Sequence, residues 1–136
     1  MTEPDPRYLQ YFTLFNQEKF FEAHEVLEAL WLETKGGERN FYQGLIQLAA
    51  SLVHFHMRRS RSAASLQKGN LTGARELFRT ASAYLKPYLP QHEGVDLART
   101  LRDFRVFLDA WSGHPDRPSL AKPLLPRLDL TRKRDA

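Results

Sequence analysis

A histidine and two glutamates lie close together in a stretch whose other positions repeat as an amphipathic helix. His24 and Glu28 are four residues apart and therefore share one helix face, with Glu25 beside them. A second histidine, His54, lies in the next predicted helix. Two imidazoles and a carboxylate suit Zn²⁺ or another divalent ion. This pattern indicates a candidate metal-dependent, hydrolase-like site with His24, Glu28 and His54 as ligands and Glu25 as the candidate general base.

The same residue types also fit a structural role. The zinc-protease pattern His-Glu-x-x-His is absent, because position 28 is glutamate. The Glu-x-x-His pattern of di-iron bundles is absent too, because Phe21 and Ser51 stand three residues before the two histidines. A buried imidazole needs a hydrogen-bond partner, and Glu28 and Gln47 could supply one. The sequence leaves a metal site and a buried hydrogen-bonded network both open.

Apolar residues at helical spacing predict five helices that position these side chains. Gly36-Gly37 is expected to end the second helix and Gly69-Asn70 the third, with Asn70 capping the fourth. No segment alternates with period two, so no sheet is expected. Short connections between the helices predict an all-α antiparallel bundle. The predicted ranges are about 5–17, 20–34, 38–66, 71–89 and 95–111.

A row of small and polar residues runs beside the apolar positions of the third helix. Gly44 would allow a neighbouring backbone to approach, and Gln47, Ser51 and His54 supply donors and acceptors. Because the connection before this helix is short, we expect its polar row to meet the second helix. The predicted polar cluster comprises His24, Glu25, Glu28, Gln47, Ser51 and His54.

The composition is that of one globular domain. The chain has 136 residues, of which 42% are hydrophobic, and it has no cysteine, which excludes disulfides and thiolate chemistry. No run of uncharged apolar residues is long enough to span a membrane. The first residues are acidic and lack an apolar signal core, so a cytoplasmic location is expected.

Basic side chains are concentrated in residues 57–86, which contain seven of them and only one acidic residue, Glu76. The net charge of the whole chain is +4. They define a candidate anion or nucleic-acid surface. No aromatic residue stands among the first three arginines to stack on bases, so a solvated helix face is expected rather than a nucleic-acid site. The candidates are Arg58, Arg59, Arg61, Arg75 and Arg79.

The last residues differ from the bundle that we predict over 1–113. Residues 114–136 hold four of the eight prolines and six of the twenty basic side chains. Prolines at this density prevent a helix, and five leucines between Leu120 and Leu130 are too apolar for a solvated linker. We expect this proline-rich segment to run extended and to pack partly on the bundle.

Three motifs in order resemble the bacterial and archaeal family called domain of unknown function 309. The first runs from Phe15-Asn16 through Phe20-Phe21-Glu22-Ala23-His24-Glu25-Val26-Leu27-Glu28 to Trp31, the second is Phe41-Tyr42-Gln43-Gly44-Leu45-Ile46-Gln47-Leu48-Ala49 with His54, and the third is Gly69-Asn70…Gly73-Ala74. The resemblance covers about residues 15–85.

This resemblance implies an all-α bundle without an established activity. It also implies that the family's signature residues in this chain are His24, Glu25, Glu28, Gln47 and His54. The family usually has glycine where this chain has Glu18, so the turn between the first two helices is expected to differ.

We therefore expect a non-enzymatic interaction or structural module with a buried His/Glu/Gln cluster between the second and third helices. The alternatives are a metal-dependent enzyme, with zinc or another divalent ion as its cofactor, and nucleic-acid binding through the basic stretch. The expected partner is another protein or a second copy of the chain, and not a membrane.

Overall fold

Five α-helices make up most of the computed structural model, which describes residues 4–60, 64–112 and 126–130, with side chains at 4–55, 72–110 and 126–130. Two short 3₁₀ helices lie at Gly36–Glu38 and Lys86–Tyr88. The predicted all-α bundle is confirmed. The helices are α1 (Pro6–Asn16), α2 (Phe20–Glu33), α3 (Arg39–Ser60), α4 (Ala64–Leu85) and α5 (Leu97–Ser112).

Local signals explain how α1 begins. Pro6 occupies its first turn, where a missing N–H is harmless. The Asp5 carboxylate accepts a 2.8 Å hydrogen bond from the backbone N–H of Arg7 and so caps the helix.

A Schellman turn ends α1 and sets the start of α2. The backbone N–H of Lys19 donates to the carbonyl of Leu14, and that of Glu18 donates to Phe15, both at 2.9 Å. Glu18 has a φ of 64°, in the left-handed region that favours glycine. The chain therefore keeps the backbone geometry that the family's usual glycine would allow, although it carries a glutamate there.

The central helix of the bundle is α3. The five residues of its apolar seam are at most 1% exposed, and α2 and α4 both pack against it. The start of α3 lies near the end of α4, because a Cβ at Gly44 would meet Leu85, so these two helices are antiparallel. The buried seam of α3 consists of Phe41, Leu45, Leu48, Leu52 and Phe55.

The predicted boundary at Gly69-Asn70 is wrong, because both residues lie inside α4. The third helix ends at Ser60 instead. A glycine inside a helix costs only about 1 kcal/mol, and the packing of the long apolar face of α4 outweighs it. The fourth helix is also shorter than predicted at its C-terminal end. It ends at Leu85, and the 3₁₀ helix follows it.

The expectation of no sheet is also wrong. A small antiparallel hairpin pairs β1 (Gln91–His92) with β2 (Val95–Asp96). Its turn residues Glu93 and Gly94 have φ values of 48° and 81°, which suit a tight primed turn. Strands of two residues are too short to show alternation, so the periodicity could not reveal them.

Part of the C-terminal segment touches the bundle. Leu128 is 1% exposed, and its backbone forms two hydrogen bonds with the side chain of Asn16, at 2.8 and 2.9 Å. Residues 113–125 and 131–136 of this segment lie outside the described residues. Within the described part of the chain, no helix is long and apolar enough to cross a membrane. The cytoplasmic location stays a prediction.

Candidate functional site

The predicted site residues of α2 differ in their burial. His24 is half-buried and stacks on the ring of Phe21, with centroids 5.9 Å apart and planes 23° apart. Glu25 is exposed and Glu28 is half-buried. The helix therefore holds His24 partly under Phe21 and leaves the Glu25 carboxylate in solvent, so Glu25 is not part of a buried cluster.

The polar row of α3 packs on α4. The Ser51 hydroxyl donates a 3.0 Å hydrogen bond to the carbonyl of Ala74. His54 lies against Gly73, where an added Cβ would come within 2.9 Å of the imidazole Nδ1. Gly44, at the other end of the row, lies against Leu85. The expectation that this row serves the second helix is thus corrected at these three positions, because α4 takes that side of α3.

The residues proposed as metal ligands do not form a preformed ligand set. Within the described part of the chain, His24, Glu28 and His54 are not a group whose ligand atoms lie within 4.8 Å of one another. Among the described residues, no hydrogen bond joins the members of the expected network. The Nδ1 atoms of both histidines and the Oε1 atom of Gln47 are buried without a hydrogen-bond partner. This geometry does not support the hydrolase alternative.

The outward side of α2 carries a row of two apolar and two acidic residues, which we call the outer row. Phe21, Glu25, Glu28 and Leu32 fall within an arc of about 60° on a helical wheel. Phe21 is 55% exposed and Leu32 is 68% exposed. Two large apolar side chains thus flank two carboxylates on one solvent-facing row.

The charge of α2 is entirely negative. The helix has four glutamates and neither lysine nor arginine. Glu33 forms a two-pronged ion pair with Arg7, at 3.0 Å for both oxygens, which lowers the pKa of the Glu33 carboxyl through hydrogen bonding and charge. The described residues provide no ion pair for Glu22, Glu25 or Glu28. Their charges remain open to a partner.

A second group of titratable residues lies where the 3₁₀ turn before α3 meets the hairpin. We call Glu38, His92 and Glu93 the hairpin corner. The Nε2 atom of His92 lies 2.6 Å from Oε1 of Glu38, although 54 residues separate the two in sequence. One ligand atom from each of the three residues lies within 4.8 Å of the others, and no other such group of three occurs among the described residues.

Aromatic side chains hold this corner in place. The His92 ring packs edge-on against Phe41, with centroids 4.6 Å apart, and lies 4.9 Å from Tyr88. The Tyr8 hydroxyl donates a 2.7 Å hydrogen bond to the carbonyl of Glu93. Burial first, and then the charge of Glu93, raises the pKa of Tyr8 well above its usual range.

The sequence analysis missed the hairpin corner. Its residues come from two loops, and no periodic pattern joins them. The usable signal was Gly94 shortly after Pro90, because glycine and proline are the strongest sequence markers of turns. That signal predicts a turn, but it does not predict that His92 reaches Glu38.

The two basic candidates whose side chains are described each pair with a carboxylate. Arg75 pairs with Asp109 at 3.1 Å and Arg79 pairs with Glu76 at 3.4 Å. Both arginines line an open cleft of about 320 Å³ between α4 and α5, together with Arg105. The side chains of Arg58, Arg59 and Arg61 lie outside the described residues.

Comparison with known proteins gives one finding. The family model described as Domain of unknown function (DUF309) matches residues 8–66. The match includes the first two motifs with all five signature residues and stops before the third, Gly69–Ala74. No curated protein matches the chain. The family resemblance seen in the sequence is therefore confirmed over residues 8–66, which run from the first turn of α1 to the first residues of α4.

Proposed function

We propose that this protein is a non-enzymatic interaction module that binds a basic amphipathic helix of a partner protein along the outer row of α2. The observation that carries the proposal is the arrangement of Phe21 and Leu32, both more than half exposed, around Glu25 and Glu28. Large exposed apolar side chains grouped on one face are typical of interaction sites.

The dimensions suit a helical partner. Phe21 and Leu32 are eleven residues apart, which corresponds to about 16 Å along a helix. A partner helix covers such a length when its apolar residues extend over about eleven positions, for example i, i+4, i+7 and i+11. Full burial of a side chain such as Phe or Leu contributes about 1.5–3 kcal/mol, so two anchors suit a modest affinity.

The charge of the surface selects the partner. Glu22, Glu25 and Glu28 lack ion pairs among the described residues, and α2 carries no basic side chain. Lysine and arginine beside the apolar residues of the partner would complement these carboxylates and speed association at low salt. An acidic partner would be repelled.

His24 has a positioning role in this proposal. Its ring stacks on Phe21 and therefore limits the directions in which that side chain can point. A side chain that is already ordered loses less conformational entropy on binding. The signature histidine then acts through Phe21 and not through a metal or a proton transfer.

Selection of helical peptides from a displayed library tests the proposal. The full chain is the bait, and the double variant Phe21→Ser/Leu32→Ser is used for counter-selection. We expect enriched peptides to combine lysine or arginine with apolar residues at helical spacing. Fluorescence anisotropy should show that Glu25→Lys weakens their binding by at least about 10-fold, because it reverses a charge at the centre of the surface.

The matched control is Val106→Ser, which removes an apolar side chain that is 63% exposed on α5. It should leave peptide binding unchanged. All these variants alter exposed side chains and should keep the free energy of unfolding within about 0.5 kcal/mol. Peptides that are acidic, or that bind the double variant equally well, contradict the proposal. A wild-type dimer in sedimentation that Phe21→Ser dissociates would make a second copy the occupant and overturn the basic-helix assignment.

A further inference from the structure

The hairpin corner brings together three groups whose arrangement an ion pair alone does not explain. His92 and Glu38 already form a close pair, with 2.6 Å between Nε2 and Oε1. The carboxylate of Glu93 is the third group, and a ligand atom of each residue lies within 4.8 Å of the others. A second carboxylate beside a completed pair adds repulsion between like charges unless a cation compensates it.

The environment of Glu93 strengthens this point. No hydrogen bond or ion pair to its carboxylate occurs among the described residues, whereas its backbone carbonyl is fixed by the Tyr8 hydroxyl at 2.7 Å. The backbone of Glu93 has a φ of 48°, in the left-handed region where non-glycine residues are uncommon. The fold thus fixes the position of a residue whose charged group has no partner in the described part of the chain.

From this juxtaposition we infer that Glu38, His92 and Glu93 bind a divalent transition-metal ion of the Zn²⁺ type. Imidazole and carboxylate are ligands that Zn²⁺ takes, at about 2.0–2.2 Å. Ligand atoms around one such ion lie roughly 3–4 Å apart, so the three side chains need only small rotations. The His92–Glu38 contact opens slightly to admit the ion.

The surroundings provide the rigidity that a metal site needs. The His92 ring lies between Phe41 and Tyr88, at centroid distances of 4.6 and 4.9 Å. The Tyr88 hydroxyl also donates to the carbonyl of Gly37, next to Glu38. Groups that orient metal ligands in this way raise affinity, because less order must be gained on binding. Tyr88 therefore contacts both of the segments that carry the ligands.

The expected site is open to solvent. Glu93 is exposed, while Glu38 and His92 are half-buried. Three protein ligands leave at least one coordination position for water or another small ligand. Such a site differs from a closed structural zinc site, so the helices should remain folded without the metal.

Metal titration of the untagged, chelator-treated full chain tests the inference. Zn²⁺ is followed by calorimetry and Co²⁺ by its visible absorption. We expect one equivalent to bind, with about 100-fold weaker affinity in His92→Gln and at least about 10-fold weaker affinity in Glu93→Gln. Glu93→Gln is the safer variant, because it replaces an exposed carboxylate by an amide of the same shape and leaves folding intact.

The matched control is His24→Gln on α2, which should change affinity by less than about twofold, because His24 lies outside the corner. Absence of stoichiometric binding by wild type overturns the inference. Metal affinity that is unchanged in Glu93→Gln also overturns it, because Glu93 would then not be a ligand and only the His92–Glu38 pair would remain of the corner. Loss of binding in His24→Gln with retention in His92→Gln would place the metal on α2 instead. The peptide experiments on the outer row are independent of all these outcomes.

Discussion

The outer row of α2 and the hairpin corner both combine glutamates with a neighbouring histidine, yet the fold arranges them differently. His24, Glu25 and Glu28 follow one another on one helix, and their side chains diverge from a convex surface. The corner joins Glu38 to His92 across 54 residues, at 2.6 Å. Residue types at helical spacing are therefore not enough for a ligand cluster, because convergence requires side chains from separate elements.

The two regions also differ in how many contacts hold their side chains in place. The two carboxylates of the outer row lack ion-pair partners within the described chain, so they are open to another molecule. The corner is held by contacts from α1, α3 and the turn after α4, including Tyr8, Phe41 and Tyr88. The function of the outer row thus depends on the molecule that binds it, whereas the hairpin corner is already ordered before any ligand binds.

Gly44→Val should have the largest effect, and it tests whether the polar row of α3 is committed to α4. A Cβ at this position would lie 2.5 Å from Cγ of the fully buried Leu85. Overpacking of this kind costs about 1–3 kcal/mol, and we expect a loss near the upper end in urea unfolding. Gly37→Val is the control, because a Cβ there meets nothing within 4 Å. Equal stability of the two variants would mean that α4 does not occupy this side of α3.

Tyr8→Phe tests the hydrogen-bonded corner through the pH dependence of stability in the presence of a chelator. Burial raises the folded-state pKa of Tyr8 above the unfolded value of about 10. The contribution of this pKa difference to the free energy of unfolding is therefore complete below about pH 10. Above that pH it falls by about 1.4 kcal/mol per pH unit. Urea unfolding between about pH 9 and pH 11 should show a shallower decline in Tyr8→Phe. Phe21→Ser, on the outer row, should keep the wild-type slope, and an equal change in both variants would contradict the distinction.

Glu18→Gly should have the smallest effect, and it concerns the turn that sets the start of α2. Glycine relieves the left-handed strain at φ 64°, so the free energy of unfolding should rise by about 1 kcal/mol. The control is Gln17→Gly, at φ −89°, where glycine should lower stability by about 0.5–1 kcal/mol. Thermal and urea unfolding measure both changes. A loss of stability in Glu18→Gly would show that the glutamate side chain contributes more than its backbone costs.

Much of the fold could be predicted, because apolar spacing is a local property. The spacing of Phe41, Leu45 and Leu48 indicated α3, and Gly36-Gly37 correctly marked the break after α2. The same local rules failed at Asn70, where packing of a long helix outweighed two residues that favour a cap. They failed again at the hairpin, whose two-residue strands contain too few positions for a pattern.

The candidate sites were less predictable. His24, Glu25 and Glu28 were recognised because they share a helix, and the family match includes them. The neighbour toward which the predicted side chains point was not predictable, because a helix with a partly apolar face can pack that face against either of two neighbouring helices. Ser51 and His54 were assigned to the α2 side, but they lie against Ala74 and Gly73 of α4.

The sequence by itself determined the all-α class, the approximate extents of most helices, and the residues that carry the family signature. The first two follow from residue type and from spacing within about four turns of a helix, and the third follows from the resemblance to the family. Only the tertiary structure decided that α4 takes the polar side of α3, that the outer row of α2 remains exposed, and that Glu38 meets His92. These outcomes depend on which helix faces are buried when all the helices pack into one core. This packing brings together residues that are far apart in sequence, and a local sequence pattern contains no information about such pairs.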